Sequence, residues 1–193
     1  MKEHIFRTDV SIRPETHKDY KDIISLILRS FREGTDYSDG TDVLALVEEI
    51  RQSEYYIPEL SFVAEVAGKI VGHFLFSRFP LSKTESGDEL EEAGLVLMAP
   101  VAVHADYFHK HIGSTMLTLG IEKIKELGFR GILVEGDYHF YNRVGFKTSS
   151  DFGIYPVSGL PLKEPRYMMC LETSEGSLKD ISGYVVFSMY CNA

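Results

Sequence analysis

Cysteine is scarce: the 193 residues contain two, Cys170 and Cys191. That number builds neither a disulfide framework nor a zinc set, so both are expected to be free thiols. Long apolar runs are missing as well. No stretch approaches the roughly 20 residues that a bilayer-spanning helix needs. Met1-Lys2-Glu3-His4 is too polar for the start of a signal peptide, which makes the cytoplasm the expected compartment. Positive charge is in deficit, with 20 Lys and Arg against 29 Asp and Glu and a net charge of −9. A protein that grips nucleic acid through its phosphates needs a basic footprint, so no nucleic-acid partner is expected, and the lack of a spanning run gives no reason to expect a membrane partner. The acidic surface suits a cationic or amine-bearing partner, although most acidic proteins are simply kept soluble by their charge. Low-complexity tracts and internal repeats are absent too.

What is present reads as one domain over residues 1–193, with 44% hydrophobic residues to fill a single core. Val10-Ser11-Ile12-Arg13 alternates like a strand and is stopped by Pro14. Residues 15–18 open a helix in which Tyr20, Ile23, Ile24, Ile27 and Phe31 form one buried stripe, and the polar run after Gly34 ends it. A second helix is expected over 43–50, with Thr41 as its N-cap. Two β-rich runs, 61–66 and 70–77, flank Ala67-Gly68-Lys69 and predict a hairpin. The acidic stretch 84–92 reads as an exposed connection. Residues 95–103 read as a buried central strand. Pro100 within it cannot donate to a ladder, which predicts a bulge or a parting of strands, and such a parting is a natural entrance for a ligand.

The loop after this strand feeds a helix that starts near Gly113, carries Met116, Leu117, Ile121 and Ile124 on one side, and stops at Gly128. The first turn of a helix has unpaired N–H groups and the positive end of the dipole, so this junction can hold phosphate without a dedicated basic side chain. Arg130-Gly131-Ile132-Leu133-Val134 completes a strand, helix, strand unit with a parallel crossover. A short helix over 138–143 and two closing strands, 167–171 and 184–188, follow. The last of these offers an edge that could pair a second copy into a homodimer. The architecture is α/β, and the early hairpin contradicts a doubly wound nucleotide fold.

Four segments stand in a telling order: Ser11-Ile12-Arg13-Pro14, the hairpin 62–77, Pro100-Val101-Ala102-Val103 with its loop and helix, and Gly136-Asp137-Tyr138-His139-Phe140-Tyr141-Asn142-Arg143-Val144-Gly145-Phe146. Together they resemble the GCN5-related N-acetyltransferase (GNAT) superfamily, in particular its small bacterial members, over nearly the whole chain. The resemblance implies a mixed, mostly antiparallel central sheet with a parallel strand, helix, strand crossover, splayed strands and flanking helices. It implies an N-acetyltransferase that moves an acetyl group from acetyl-CoA, as cosubstrate, to a primary amine by direct transfer in a ternary complex. A CoA-binding sensor without turnover is the alternative. Cofactor contacts are implied for Val101, Ala102 and Val103, with Val101 and Val103 pairing the pantetheine chain like an added strand. Further contacts are implied for His109, Lys110, His111, Ile112, Gly113, Ser114 and Thr115 around the pyrophosphate. The family's loop usually reads Gln or Arg, two residues, Gly, one residue, then Gly or Ala. Here those positions hold Phe108, His111 and Gly113, so two of the three depart.

The reaction sets its own demands. The attacking amine must be neutral, so a base removes its proton, and Glu135, His104 and His73 are candidates with none favoured. The oxyanion needs a backbone N–H, expected near a bulge around Ala102. The leaving thiolate needs an acid of similar pKa, and tyrosine at about 10 lies near a thiol at about 8.5. Tyr141 matches the family's general-acid tyrosine. His104, His109 and His111 cluster in sequence but lack a cysteine or a clear carboxylate partner, so no metal is expected.

Overall fold

The computed structural model describes residues 10–35, 38–157 and 165–192. β1 (Val10–Pro14) leads through a single 3-10 turn into α1 (Tyr20–Gly34), and α2 (Thr41–Gln52) follows. α1 buries Ile23, Leu26, Ile27 and Ser30, an i, i+3, i+4, i+7 stripe. Ile24 lies about 100° round the helix from Ile23 and is 37% exposed, so Leu26 replaces it in the buried stripe. The N-cap of α2 is Gly40, at φ 91°, and Thr41 is the first helical residue, with its hydroxyl on the Asp39 carboxylate. Glycine is needed there: a β-carbon at Gly40 would lie 3.0 Å from Leu28 Cα and 3.1 Å from the Ile27 carbonyl oxygen.

The hairpin is β2 (Tyr56–Val66) and β3 (Lys69–Arg78), joined by Ala67 at φ 50° and Gly68 at φ 76°. Two positive φ values in a two-residue turn match the right-handed twist of the strands. β4 (Leu81–Ser82) and β5 (Leu90–Glu91) follow, so the acidic connection contains a short strand. Then come β6 (Leu95–Val103), α3 (Ile112–Glu126), β7 (Gly131–Glu135) and the one-turn α4 (Tyr138–Tyr141). β8 (Lys147–Thr148), β9 (Ile154–Pro156), β10 (Met168–Glu172) and β11 (Gly183–Val185) complete the strands.

The main sheet runs β1-β2-β3-β6-β7-β10-β8, with β6 and β7 parallel and the other neighbours antiparallel. A second, small sheet runs β5-β4-β11-β9. The expected closing strand 184–188 is therefore corrected: it is shorter, lies outside the main sheet and is paired on both sides, and the chain then turns into 3-10 helix over Phe187–Asn192. With both its ladders filled, β11 offers no edge to a second copy.

Both faces of the main sheet are covered. Val63, Leu75, Leu97 and Leu133 pack under α1 and α2, and Phe62, Phe74, Phe76, Val96 and Ile132 pack under α3. This accounts for the near-continuous apolar runs of β3, β6 and β7. Cys170 is free and fully buried on β10, and burial pushes its thiol up to about 12, which leaves it inert. The Cys191 side chain lies outside the described residues.

Candidate active site

β6 and β7 pair at only three positions: Leu95 with Gly131, Val96 with Ile132 and Leu97 with Leu133. Beyond these, Val134 and Glu135 pair with Met169 and Met168 of β10, while β6 continues along β3. The two strands part after Leu97. The parting coincides with a bulge, because Phe74 and Phe76, two steps apart on β3, oppose Val101 and Met98, three steps apart on β6. Pro100 lies inside the bulge behind a cis Ala99–Pro100 bond, where its missing N–H costs no ladder bond. The extra residue also changes the phase of the strand. Leu95 and Leu97 face α1 and α2 and so does Ala102, whereas Val96, Met98, Val101 and Val103 pack on the α3 side.

The backbone has an equally definite polarity. The His104 N–H donates to the Val71 carbonyl at 2.8 Å. Antiparallel pairs alternate between bonded and non-bonded, so Ala102 is bonded to His73 while Val101 and Val103 direct their N–H and C=O groups away from β3, into the gap. The Val103 N–H donates to Ser30 Oγ on α1 at 3.1 Å. The Ala102 amide is directed to β3 by this register. The amide next to the bulge that points into the gap is that of Val101.

The loop reaches α3 through two left-handed residues, His109 at φ 61° and His111 at φ 61°. Both side chains are exposed, so histidine takes up the glycine-like backbone while its ring points outward. The first helical bond runs from the Thr115 N–H to the His111 carbonyl, and the amides of Ile112, Gly113 and Ser114 precede it. The Thr115 N–H and hydroxyl both bond His111 O, as does the Ser114 hydroxyl. The Lys110 N–H is spent on the Tyr107 carbonyl, and its ammonium lies 4.8 Å over the Tyr107 ring. A β-carbon at Gly113 would lie 3.6 Å from Val103 and 3.9 Å from Phe140, so this turn sits between the end of β6 and α4. Phe108 packs against Gly34 at the end of α1.

Tyr141 is 7% exposed, edge-on to Phe140 and Phe146, and backed by Gly136. Of the candidate bases, His104 caps the short turn after β6, accepting from the Asp106 N–H, with Nε2 3.0 Å from Arg29. Glu135 ends β7, half-buried beside the parting. His73 is wholly buried, bonded through Nε2 to Glu15 at 2.8 Å, with no partner for Nδ1 among the described residues. Burial pushes the His73 pKa down, against the pull of Glu15. It belongs to a buried polar cluster that sequence reasoning missed, in which Glu15 also receives Arg51 at 2.9 Å and the Tyr56 hydroxyl at 3.0 Å. The available signal was polar Ser61 and His73 at inward positions of otherwise apolar strands.

Among the described residues no group of three His, Cys, Asp or Glu is placed to hold a metal ion, and no helix is long and apolar enough to cross a membrane. A separate cleft of about 520 Å³ opens at the other end of β6, beside Ala93, Arg130 and Tyr184.

The family model for the acetyltransferase (GNAT) family matches residues 21–146. An uncharacterized N-acetyltransferase of Escherichia coli K12, YjhQ, is 30% identical over 136 residues, 64% of this chain and 72% of its own. Among solved structures, the GNAT family N-acetyltransferase YhbS of Escherichia coli, in complex with CoA, is similar with a TM-score of 0.76 and 23% identity over 96% of this chain and 93% of that one. A GNAT family acetyltransferase of Brucella melitensis in complex with acetyl-CoA is similar with a TM-score of 0.66 and 25% identity, covering 89% of this chain and 90% of that one. The mixed sheet, the parting of β6 from β7 and the family match agree, and the chain belongs to the GNAT acetyltransferase family.

Proposed function

We propose that this protein transfers the acetyl group of acetyl-CoA to the primary amine of an acceptor, directly within a ternary complex. The observation that carries this reading is the parting of β6 and β7 after Leu97, which leaves the outward backbone groups of Val101 and Val103 beside the first turn of α3. Family membership supports acyl-CoA-dependent acetyl transfer in general, and the two solved relatives hold CoA or acetyl-CoA.

The residues fit such a cosubstrate. Val101 and Val103 bind the pantetheine amides as an edge strand binds an added one. The amides of His111, Ile112, Gly113 and Ser114, at the positive end of the α3 dipole, hold the diphosphate, and the left-handed backbone at His109 and His111 keeps that approach open. When bound, acetyl-CoA supplies an acyl group activated as a thioester. Tyr141 holds the proton delivered to the departing sulfur, and the Val101 N–H faces the charge that develops on the acyl oxygen. The same reading assigns the protein to the cytoplasm, with its cosubstrate.

Calorimetric titration with acetyl-CoA, followed by CoA release on a panel of amines, tests the reading. Saturable binding with turnover is expected. One observation favours a CoA-binding sensor instead, the enclosure of Tyr141 among aromatic rings, and binding without release on every amine would establish that alternative. No binding at millimolar cofactor would sink both.

A further inference from the structure

The open edge of β6 is not bare. Of the four residues that α1 buries, three are aliphatic and one is Ser30. Its Oγ accepts the Val103 N–H, the group that points into the gap once β7 has turned away. A buried N–H without an acceptor is costly, so an edge strand that loses its neighbour needs a substitute. The residue before Ser30 strengthens the attachment. Arg29 places Nη1 3.0 Å from His104 Nε2 and Nη2 3.1 Å from the Asp106 carboxylate. α1 is thus fastened to the end of β6 at residues 103, 104 and 106, along the edge that a pantetheine chain would occupy.

On the acyl-CoA reading above, we propose that Ser30 is a placeholder for the cofactor: its hydroxyl satisfies the Val103 amide in the empty protein and is exchanged for a pantetheine carbonyl on binding. Ser30 is a positioning residue in this account, since it prepares the amide and takes no part in the chemistry. The exchange has a signature that ordinary packing lacks. One protein bond is broken for each cofactor bond made at Val103, so the cofactor gains little there. Removing the hydroxyl raises the free energy of the empty protein and leaves the complex nearly untouched. Stability and affinity then move in opposite directions.

Ser30→Ala is the variant to make, because alanine suits a helix interior and is smaller than serine. With CoA itself as the calorimetric probe, Ser30→Ala is expected to bind roughly three- to tenfold tighter than the unaltered protein, the equivalent of one net hydrogen bond. Its melting temperature without CoA is expected to fall, and Ser30→Thr is expected to restore both values towards the unaltered protein. Amide hydrogen exchange at Val103, followed by NMR, is expected to be faster in empty Ser30→Ala and equal in the two proteins once CoA is bound. CoA binding that is unchanged or weaker in Ser30→Ala, or Val103 exchange that ignores the substitution, overturns the placeholder role and leaves the acyl-CoA reading standing. Failure of the unaltered protein to bind CoA at millimolar concentration overturns both.

Discussion

Glu15 Oε2 and His73 Nε2 lie 2.8 Å apart where the His73 side chain is fully buried and that of Glu15 is 2% exposed. Arg51, almost as enclosed, spans the carboxylate, with Nη2 2.9 Å from the same Oε2 and Nε 3.2 Å from Oε1. Burial works to raise the Glu15 pKa, but the bonds from His73 and Arg51 outweigh it and hold the group down at about 2.

An acid-labile fold follows from this pair. The folded pKa values of Glu15 and His73 both lie below their ordinary values of 4.5 and 6.5. For a depressed pKa the stabilisation is complete above the unfolded value and drains away as pH falls. His73 therefore loses its contribution as pH drops below about 6.5, and Glu15 loses its own from about 4.5 down through about 2. Thermal melts at stepped pH are expected to show a level melting temperature above neutrality and a steady fall on acidification. His73→Gln, which keeps a donor for Glu15 but cannot titrate, is expected to flatten the upper part of that fall. An unchanged slope in the variant would contradict the assignment.

Tyr141→Phe tests the acid. The ring packs by its edges against Phe140 and Phe146, contacts that phenylalanine reproduces, so the fold is expected to survive. General acid catalysis contributes typically about 10²- to 10⁴-fold, and kcat is expected to fall within that range while the KM for acetyl-CoA changes little. Gly136→Ala should act through the same ring, because its β-carbon would come within 2.7 Å of Tyr141 Cε2. Steady-state kinetics on an active amine would check both, and an undiminished kcat in Tyr141→Phe would remove Tyr141 from the mechanism.

The seat of α3 depends on Gly120. A β-carbon there would lie 2.7 Å from Phe76 Cζ and 3.0 Å from Phe74 Cε2, two fully buried rings that cannot swing aside. Gly120→Ala gains up to about 1 kcal/mol of helix propensity, but overpacking costs about 1–3 kcal/mol. A net loss of about 1–2 kcal/mol is expected in urea unfolding. A stabilised variant would mean that the helix can ride further from the sheet than its packing shows.

Local signals carried most of the fold. The hairpin turn, the apolar run of β6, the stop at Gly128 and the disturbance at Pro100 each follow from nearby residues, and each is where the sequence puts it. What sequence did not reveal depends on partners distant in the chain. Which way the Ala102 amide points is decided by its register with His73, and the place of β11 by two neighbours, β4 and β9. The Glu15, Arg51 and His73 cluster joins a loop, the end of α2 and a central strand, and no short window contains it. Ser30 reads as a weak helix residue until Val103 is brought beside it.

His111 joins loop geometry to cofactor binding. At φ 61° a residue with a β-carbon carries roughly 1–2 kcal/mol of strain that glycine lacks, partly offset by the greater freedom glycine gives the unfolded chain. The imidazole is exposed, and the bonds that Ser114 and Thr115 make to this residue go to its carbonyl, which glycine keeps. His111→Gly is therefore expected to be about 0.5–1 kcal/mol more stable in urea unfolding, with CoA affinity equal to or tighter than that of the unaltered protein. His109→Gly, at the same φ, serves as a control for the strain alone. A tenfold loss of CoA affinity confined to His111→Gly would mean that the imidazole itself meets the diphosphate, and the loop would then work through a side chain rather than through the backbone of its left-handed turn.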